Sequence, residues 1–185
     1  MSSNTSCHEP QALARLMAQT AESGFNMASE SLVGQLLRTL VASKPAGRFL
    51  EVGTGTGIGA AWMLDGMDAA STLVSVDVNP VSQQIARDVL GGDSRLELIL
   101  QDALQYLRSS ATPVFDLVFA DALPGKYDGL SDALAVVKPG EFYVIDDLLP
   151  QPNWPPGHAA KVPVLQNALA SNPALRTVSM DWQAA

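Results

Sequence analysis

Three glycines, Gly53, Gly55 and Gly57, alternate just after an apolar run, and acidic residues recur further on, each closing an apolar stretch: Asp77, Asp102, Asp121 and the pair Asp146-Asp147. Alternating glycines let the backbone turn sharply and approach a ligand with no side chain between them. A strand-end carboxylate 22 residues after Gly55, as Asp77 is, can accept hydrogen bonds from ribose hydroxyls. Asp102 could accept from an adenine amino group. The run Gly55-x-Gly57-x-x-Ala60 also fits a dinucleotide fingerprint, a weak match by itself. No Gly-Lys-Ser/Thr follows, so a triphosphate-binding loop is poorly supported. An isolated strand-end aspartate most often caps a helix. Three of them on successive strands behind a glycine loop point to a nucleoside instead.

Asp121, Asp146 and Asp147 raise a second chemistry. They end what read as the fourth and fifth strands, neighbours in a parallel sheet, so their carboxylates could converge. Two like charges at about 4 Å cost about 4 kcal/mol at an effective dielectric near 20, unless a cation or a proton neutralises them. A hard divalent ion such as magnesium, with its preference for oxygen ligands, is the natural partner. The competing reading is that Asp146 or Asp147 caps the following turn.

The elements that must position these residues follow from periodicity. Leu13, Leu16, Met17 and Thr20 recur at helical spacing, as do Leu32, Val33, Leu36, Leu37 and Leu40. Beyond Pro45 the pattern becomes alternating strands and helices. Strands are expected at 48–52, 72–76, 95–100, 114–120 and 141–145, with a last one at 176–182. Asn79-Pro80 reads as an N-cap followed by proline at the first helical position. Lys138-Pro139-Gly140 should stop the helix over 128–137. Residues 149–157 are too rich in turn formers for regular structure. Such alternation predicts an α/β fold, a doubly wound, mostly parallel sheet with helices on both faces, and ligands beyond the carboxyl ends of its strands. The chain reads as a single domain, 1–185, with a helical segment at 1–45 ahead of a Rossmann-like core at 46–185.

Composition narrows the partners. Hydrophobic residues make up 47% of the 185 and charged ones 16%, which fits a packed globule rather than disorder. A net charge of −8 with no Lys/Arg cluster argues against nucleic acid. No apolar run is long enough to cross a bilayer and the first ten residues lack a signal-peptide pattern. One cysteine, Cys7, precludes an internal disulfide. The expected setting is therefore cytoplasmic, the partner a small molecule, and a homodimer is left open.

The run Glu51-Val-Gly-Thr-Gly-Thr-Gly57, with Asp77 and Asp102-Ala103, resembles the class I S-adenosylmethionine-dependent methyltransferases. Met27-Ala-Ser-Glu30, Phe115-Asp-Leu-Val-Phe-Ala-Asp-Ala122 with Tyr127, Lys138-Pro-Gly140 and Val144-Ile-Asp-Asp147 narrow the likeness to the cation-dependent O-methyltransferases related to catechol O-methyltransferase. The likeness runs from about Gly24 to Trp182. It implies S-adenosylmethionine as cofactor: Gly53, Gly55 and Gly57 would contact its methionine part, Asp77 the ribose, and Asp102 and Ala103 the adenine. Met27, Glu51, Thr54, Val78 and Asp121 would lie near it. The resemblance also implies a divalent cation, Mg2+ or similar, on Asp121, Asp146 and Asp147, the last standing where the family has asparagine.

Two departures accompany it. The family's lysine, three residues after the first aspartate, is replaced by Pro124, which leaves Lys126 and His158 as candidate bases, each also readable as an incidental surface residue. Metal activation without a protein base is a third option. The family's seventh, closing strand is missing by this count, since only Gln183-Ala-Ala185 follows Trp182. The function expected is O-methylation of a small phenolic or catechol-like acceptor. A metal-independent methyltransferase, acting for example on an amine, and a non-catalytic cofactor-binding protein remain alternatives. A nicotinamide oxidoreductase is the weakest contender.

Overall fold

The structure, a computed structural model, describes residues 8–180 except 111 and 152. Five parallel strands form one sheet in the order β3-β2-β1-β4-β5: β1 Arg48–Val52, β2 Thr72–Asp77, β3 Leu96–Leu100, β4 Phe115–Ala120 and β5 Val137–Ile145. Parallel neighbours cannot be joined by tight turns, so helices return the chain each time: α3 Ile58–Gly66, α4 Pro80–Leu90, α5 Ala103–Ser109 and α7 Leu130–Val136, the last preceded by a single irregular turn, α6, at Leu123–Lys126. Helices α1 (Leu13–Ser23) and α2 (Ser31–Ala42) come before the sheet, and α8 (Lys161–Ala170) after it. The doubly wound α/β expectation matches this architecture.

Side-chain alternation along the strands builds two cores. Phe49, Leu117 and Phe119 face α1, α2 and α3, where Leu16, Leu37 and Trp62 are buried. Leu50, Val52, Val76 and Val118 face the other way, onto Leu107 of α5 and Val136 of α7. The helices at 13–42 are thus part of the main core rather than an appendage. Gly34 of α2 permits a close crossing over Trp62, since a Cβ there would stand 2.3 Å from the indole.

Two expectations are corrected. Lys138-Pro139-Gly140 does not lie ahead of the fifth strand but inside β5: Phe115 pairs with Val137 and Leu117 with Phe142, so the strand bulges between them. Proline supplies no N–H to the ladder and Gly140 takes φ 84, which together make the irregularity. The strand expected at 176–182 is absent as far as Met180; Asp181 and Trp182 lie outside the described residues. Residues 176–180 are exposed and join no strand of the sheet. Among the described residues the outer edge of β5 has no strand partner.

Candidate active site

Strand order reverses between β1, which leads to β2 on one side, and β4 on the other. In open α/β sheets the crevice at such a switch point takes the ligand, and the glycine loop lies in it. Gly53 N–H donates to the Val76 carbonyl at 2.9 Å and Asp121 N–H to the Val52 carbonyl at 2.8 Å, which ties the ends of β1, β2 and β4 together. A Cβ on Gly53 would stand 2.7 Å from the Asp121 carbonyl oxygen, and Gly53 has φ 101, so only glycine fits. Gly55 N–H donates to Asp77 Oδ2 at 2.8 Å, and Asn79 N–H to Oδ1 at 2.7 Å. Asp77 is therefore fixed against the loop, while Asn79 caps α4 through Val81 and Ser82.

Met27, Glu51, Gly53, Thr54, Gly55, Asp77, Val78, Asp102, Ala103 and Asp121 all line one cleft, together with Lys126, Asp146, Asp147 and His158. Gly57 does not. It starts α3 and faces Ala86 of α4, 2.8 Å from where its Cβ would be, so its close approach is to a helix. Asp102 caps α5 by accepting from Gln105 N–H at 2.9 Å, and its exposed side chain also borders the cleft.

Beneath the glycine loop lies a buried polar chain that spacing did not reveal. Ser75 donates to Glu51 Oε2 at 2.5 Å, and the Ser75 and Thr54 hydroxyls are 2.7 Å apart. Burial, aided by the charges of Asp121 and Asp77 and opposed by the Ser75 bond, pushes the Glu51 carboxyl up to about 8. Gly59 makes room for that carboxyl: a Cβ there would lie 2.4 Å from Glu51 Oε1.

The far end of the cleft gathers the remaining candidates. Asp121 Oδ2 accepts from Ser29 at 2.8 Å, and Oδ1 lies 4.0 Å from Lys126 Nζ. Burial raises the Asp121 carboxyl to about 8 against the pull of Lys126, with Asp146 and Asp147 adding to the rise. Lys126 is no surface residue: it is 5% exposed and donates to the Asp146 carbonyl at 2.9 Å. His158, from the turn before α8, is 8% exposed, with its ring 4.5 Å from that of Trp154 and edge-on to Tyr127 at 5.0 Å. Burial and the nearby Lys126 and Lys161 lower its pKa, so the imidazole is neutral at pH 7. Behind it, the buried Tyr127 hydroxyl has no hydrogen-bond partner among the described residues. Ser29 belongs to the sequence motif 27–30, but its bond to a residue 92 positions away has no spacing signature.

The acidic trio does not fit a divalent cation as arranged. Asp121 is engaged by Ser29 and Lys126, and Asp146 Oδ1 accepts from Asp147 N–H at 2.8 Å. Asp147 borders the same cleft, with its backbone in the left-handed region at φ 58. Among the described residues no three His, Cys, Asp or Glu side chains are grouped to hold a metal ion.

A parallel sheet with this strand order, and a glycine loop tied to a strand-end aspartate at the switch point, define the Rossmann-like class of nucleoside-cofactor proteins. The profile of the O-methyltransferase family matches residues 3–173, and the chain belongs to that family. A relative from Mycolicibacterium vanbaalenii, provisionally named an O-methyltransferase, is 34% identical over 118 residues, 61% of this chain and 52% of its own length. The chain thus spans about half the length of the curated relatives it matches. Among solved structures it is similar to a protein of Klebsiella pneumoniae, also provisionally named an O-methyltransferase, with TM-score 0.78 and 28% identity over 91% of this chain and 81% of the other. It is equally similar to the O-methyltransferase TomG of Streptomyces achromogenes, involved in tomaymycin synthesis and solved with S-adenosylmethionine: TM-score 0.78, 25% identity, 92% of this chain and 82% of that one.

Proposed function

We propose that the chain is an S-adenosylmethionine-dependent methyltransferase that O-methylates a small phenolic or catechol-like acceptor. The observation that carries the reading is the meeting of Gly53, Asp77 and Asp121 at the switch point, with the glycine-loop backbone already hydrogen-bonded to the Asp77 carboxylate. In this reading the loop holds the methionine part of the cofactor, Asp77 the ribose, and Asp102 and Ala103 the adenine. Met27, Glu51, Thr54, Val78 and Asp121 complete the walls. When bound, the cofactor supplies an electrophilic methyl group on a sulfonium.

Trp154 and His158, with Tyr127 packed behind His158, give the cleft an aromatic wall that suits a planar acceptor. With the cofactor bound, an acceptor oxygen would take the methyl group as the carbon–sulfur bond gave its electron pair to sulfur. The acceptor's proton passes to the neutral imidazole of His158 and on to water. Orientation of the two reactants is the main contribution of the protein. A metal-independent reaction is favoured over a cation-assisted one by Lys126, whose ammonium stands beside the carboxylate a metal would need.

The test is calorimetric titration with S-adenosylhomocysteine, followed by methyl transfer from labelled cofactor to a panel of phenols, catechols and amines. Saturable binding and a methylated oxygen are expected. Folded protein that binds no nucleoside would sink the reading. Binding with transfer only to amines, or to nothing, would move the assignment to an N-methyltransferase or a cofactor-binding protein.

A further inference from the structure

Lys126 is held in place by several features of its turn. Gly125 takes φ 85, which reverses the chain, and its N–H donates to the Asp128 carbonyl at 2.7 Å. The buried Tyr143 hydroxyl donates to the Gly125 carbonyl at 2.5 Å. The Lys126 side chain then runs inward, so that Nζ donates to the Asp146 carbonyl at 2.9 Å and faces Asp121 Oδ1 at 4.0 Å. An ammonium carries three donors, and the described residues give this one a single hydrogen bond. Its other N–H groups are available to the cleft that Lys126 lines with Asp121, Asp146 and His158.

A buried ammonium is tolerated only beside counter-charge and acceptors; here these are the Asp146 carbonyl and the Asp121 carboxyl, which the ammonium draws towards its charged form against burial. A divalent cation held by Asp121 would lie a few ångströms from the ammonium, where like charges repel strongly in a low dielectric. Geometry also separates the two. A metal gathers several oxygens at once and can take both hydroxyls of a catechol, whereas an N–H donor serves one oxygen.

We infer that Lys126 is a built-in cation that occupies the place of a divalent metal between Asp121 and Asp146 and presents its remaining donors to one oxygen of the acceptor. Only the second half rests on the methyltransferase reading. The acceptor class widens accordingly to compounds with a single phenolic hydroxyl, for which a neighbouring hydroxyl adds nothing essential.

The experiment titrates Mn2+ into the full chain and into Lys126→Met, following free Mn2+ by electron paramagnetic resonance, with S-adenosylhomocysteine binding measured on the same samples. The unsubstituted protein should take up no Mn2+ at millimolar concentration. Lys126→Met should bind it about tenfold or more tightly, because the repelling charge is gone, and adding Asp121→Asn should remove the gain. Transfer to a monophenol and to the matching catechol should proceed in EDTA at rates within about threefold, since a methyl-accepting oxygen is served by one hydrogen-bond donor in both. Mn2+ uptake with Lys126 in place, no gain in Lys126→Met, or transfer restricted to catechol with added Mg2+ would each overturn the inference. If Lys126→Met does not fold, the titration of the unsubstituted protein and the EDTA assays decide it. Failure to bind S-adenosylhomocysteine would end the methyltransferase reading while leaving the Mn2+ comparison to judge the site.

Discussion

His158 shows how an ordinary side chain acquires a chemical role from its surroundings. Its ring is held between Trp154 and Tyr127 and is kept neutral by burial and by the lysines nearby. In the proposed function that neutral imidazole serves as the base. His158→Gln is expected to reduce kcat by about a hundredfold, the usual worth of a positioned proton acceptor, and to leave S-adenosylhomocysteine affinity unchanged. Parallel kinetics and calorimetry would check this. A loss confined to cofactor affinity would instead place His158 on the other side of the cleft. The residue-scale signals in the sequence divide the same way. Strand-end aspartates were visible because each closes an apolar run. The engagement of Asp121 by Ser29, and of Glu51 by Ser75, was not visible, because both depend on strands and loops brought together across 92 and 24 residues.

Among the elements, β1 and the two helices over it carry the clearest consequences. Glu51 sits inside the sheet layer with its carboxyl raised to about 8 by burial, whereas its ordinary value is 4.5. Between those values the folded protein holds a proton that the unfolded chain has released, so stability falls as pH rises from 4.5 towards 8. Glu51→Gln should flatten that slope, as urea unfolding at pH 5 and pH 8 would show; an unchanged slope would assign the dependence to other groups. Gly34 gives a second test. Its Cβ would collide with the buried Trp62, so Gly34→Ala should lower stability by about 1–3 kcal/mol, the common range for overpacking. A stabilised variant, as helix propensity alone predicts, would show that the crossing has slack.

Strand and helix order was legible from apolar periodicity because β1, β2 and β4 are short, largely buried and bounded by turn residues. The bulge in β5 was not, since Lys138-Pro139-Gly140 reads equally as a helix stop. The segment 176–180 has the composition of a strand but pairs with none, and pairing is a property of two segments.

At the scale of the molecule, Leu13, Leu16, Leu37 and Val41 share one core with Phe49 and Trp62. The helical segment and the Rossmann-like layer should therefore melt together. Calorimetry should give one transition, raised by about 2.7 kcal/mol in stability at a hundredfold excess of S-adenosylhomocysteine over its Kd. A chain lacking residues 1–45 should not fold. Two separate transitions, or a folded truncated chain, would divide the domain.

The wall of the cleft near Phe25 and Trp154 joins distant parts of the chain: Asn153 Nδ2 donates to the Asn26 carbonyl at 3.2 Å across 127 residues. Contacts so remote in sequence form late, because the intervening chain must be ordered first. On the ribosome, β1, β2 and β4 with their glycine loop are complete once Asp121 has emerged, and the segment carrying Asn153, Trp154 and His158 follows more than thirty residues later. In the proposed function, the residues for the nucleoside thus leave the ribosome before those for the acceptor, so a cofactor bound during synthesis would be in place before the second wall arrives.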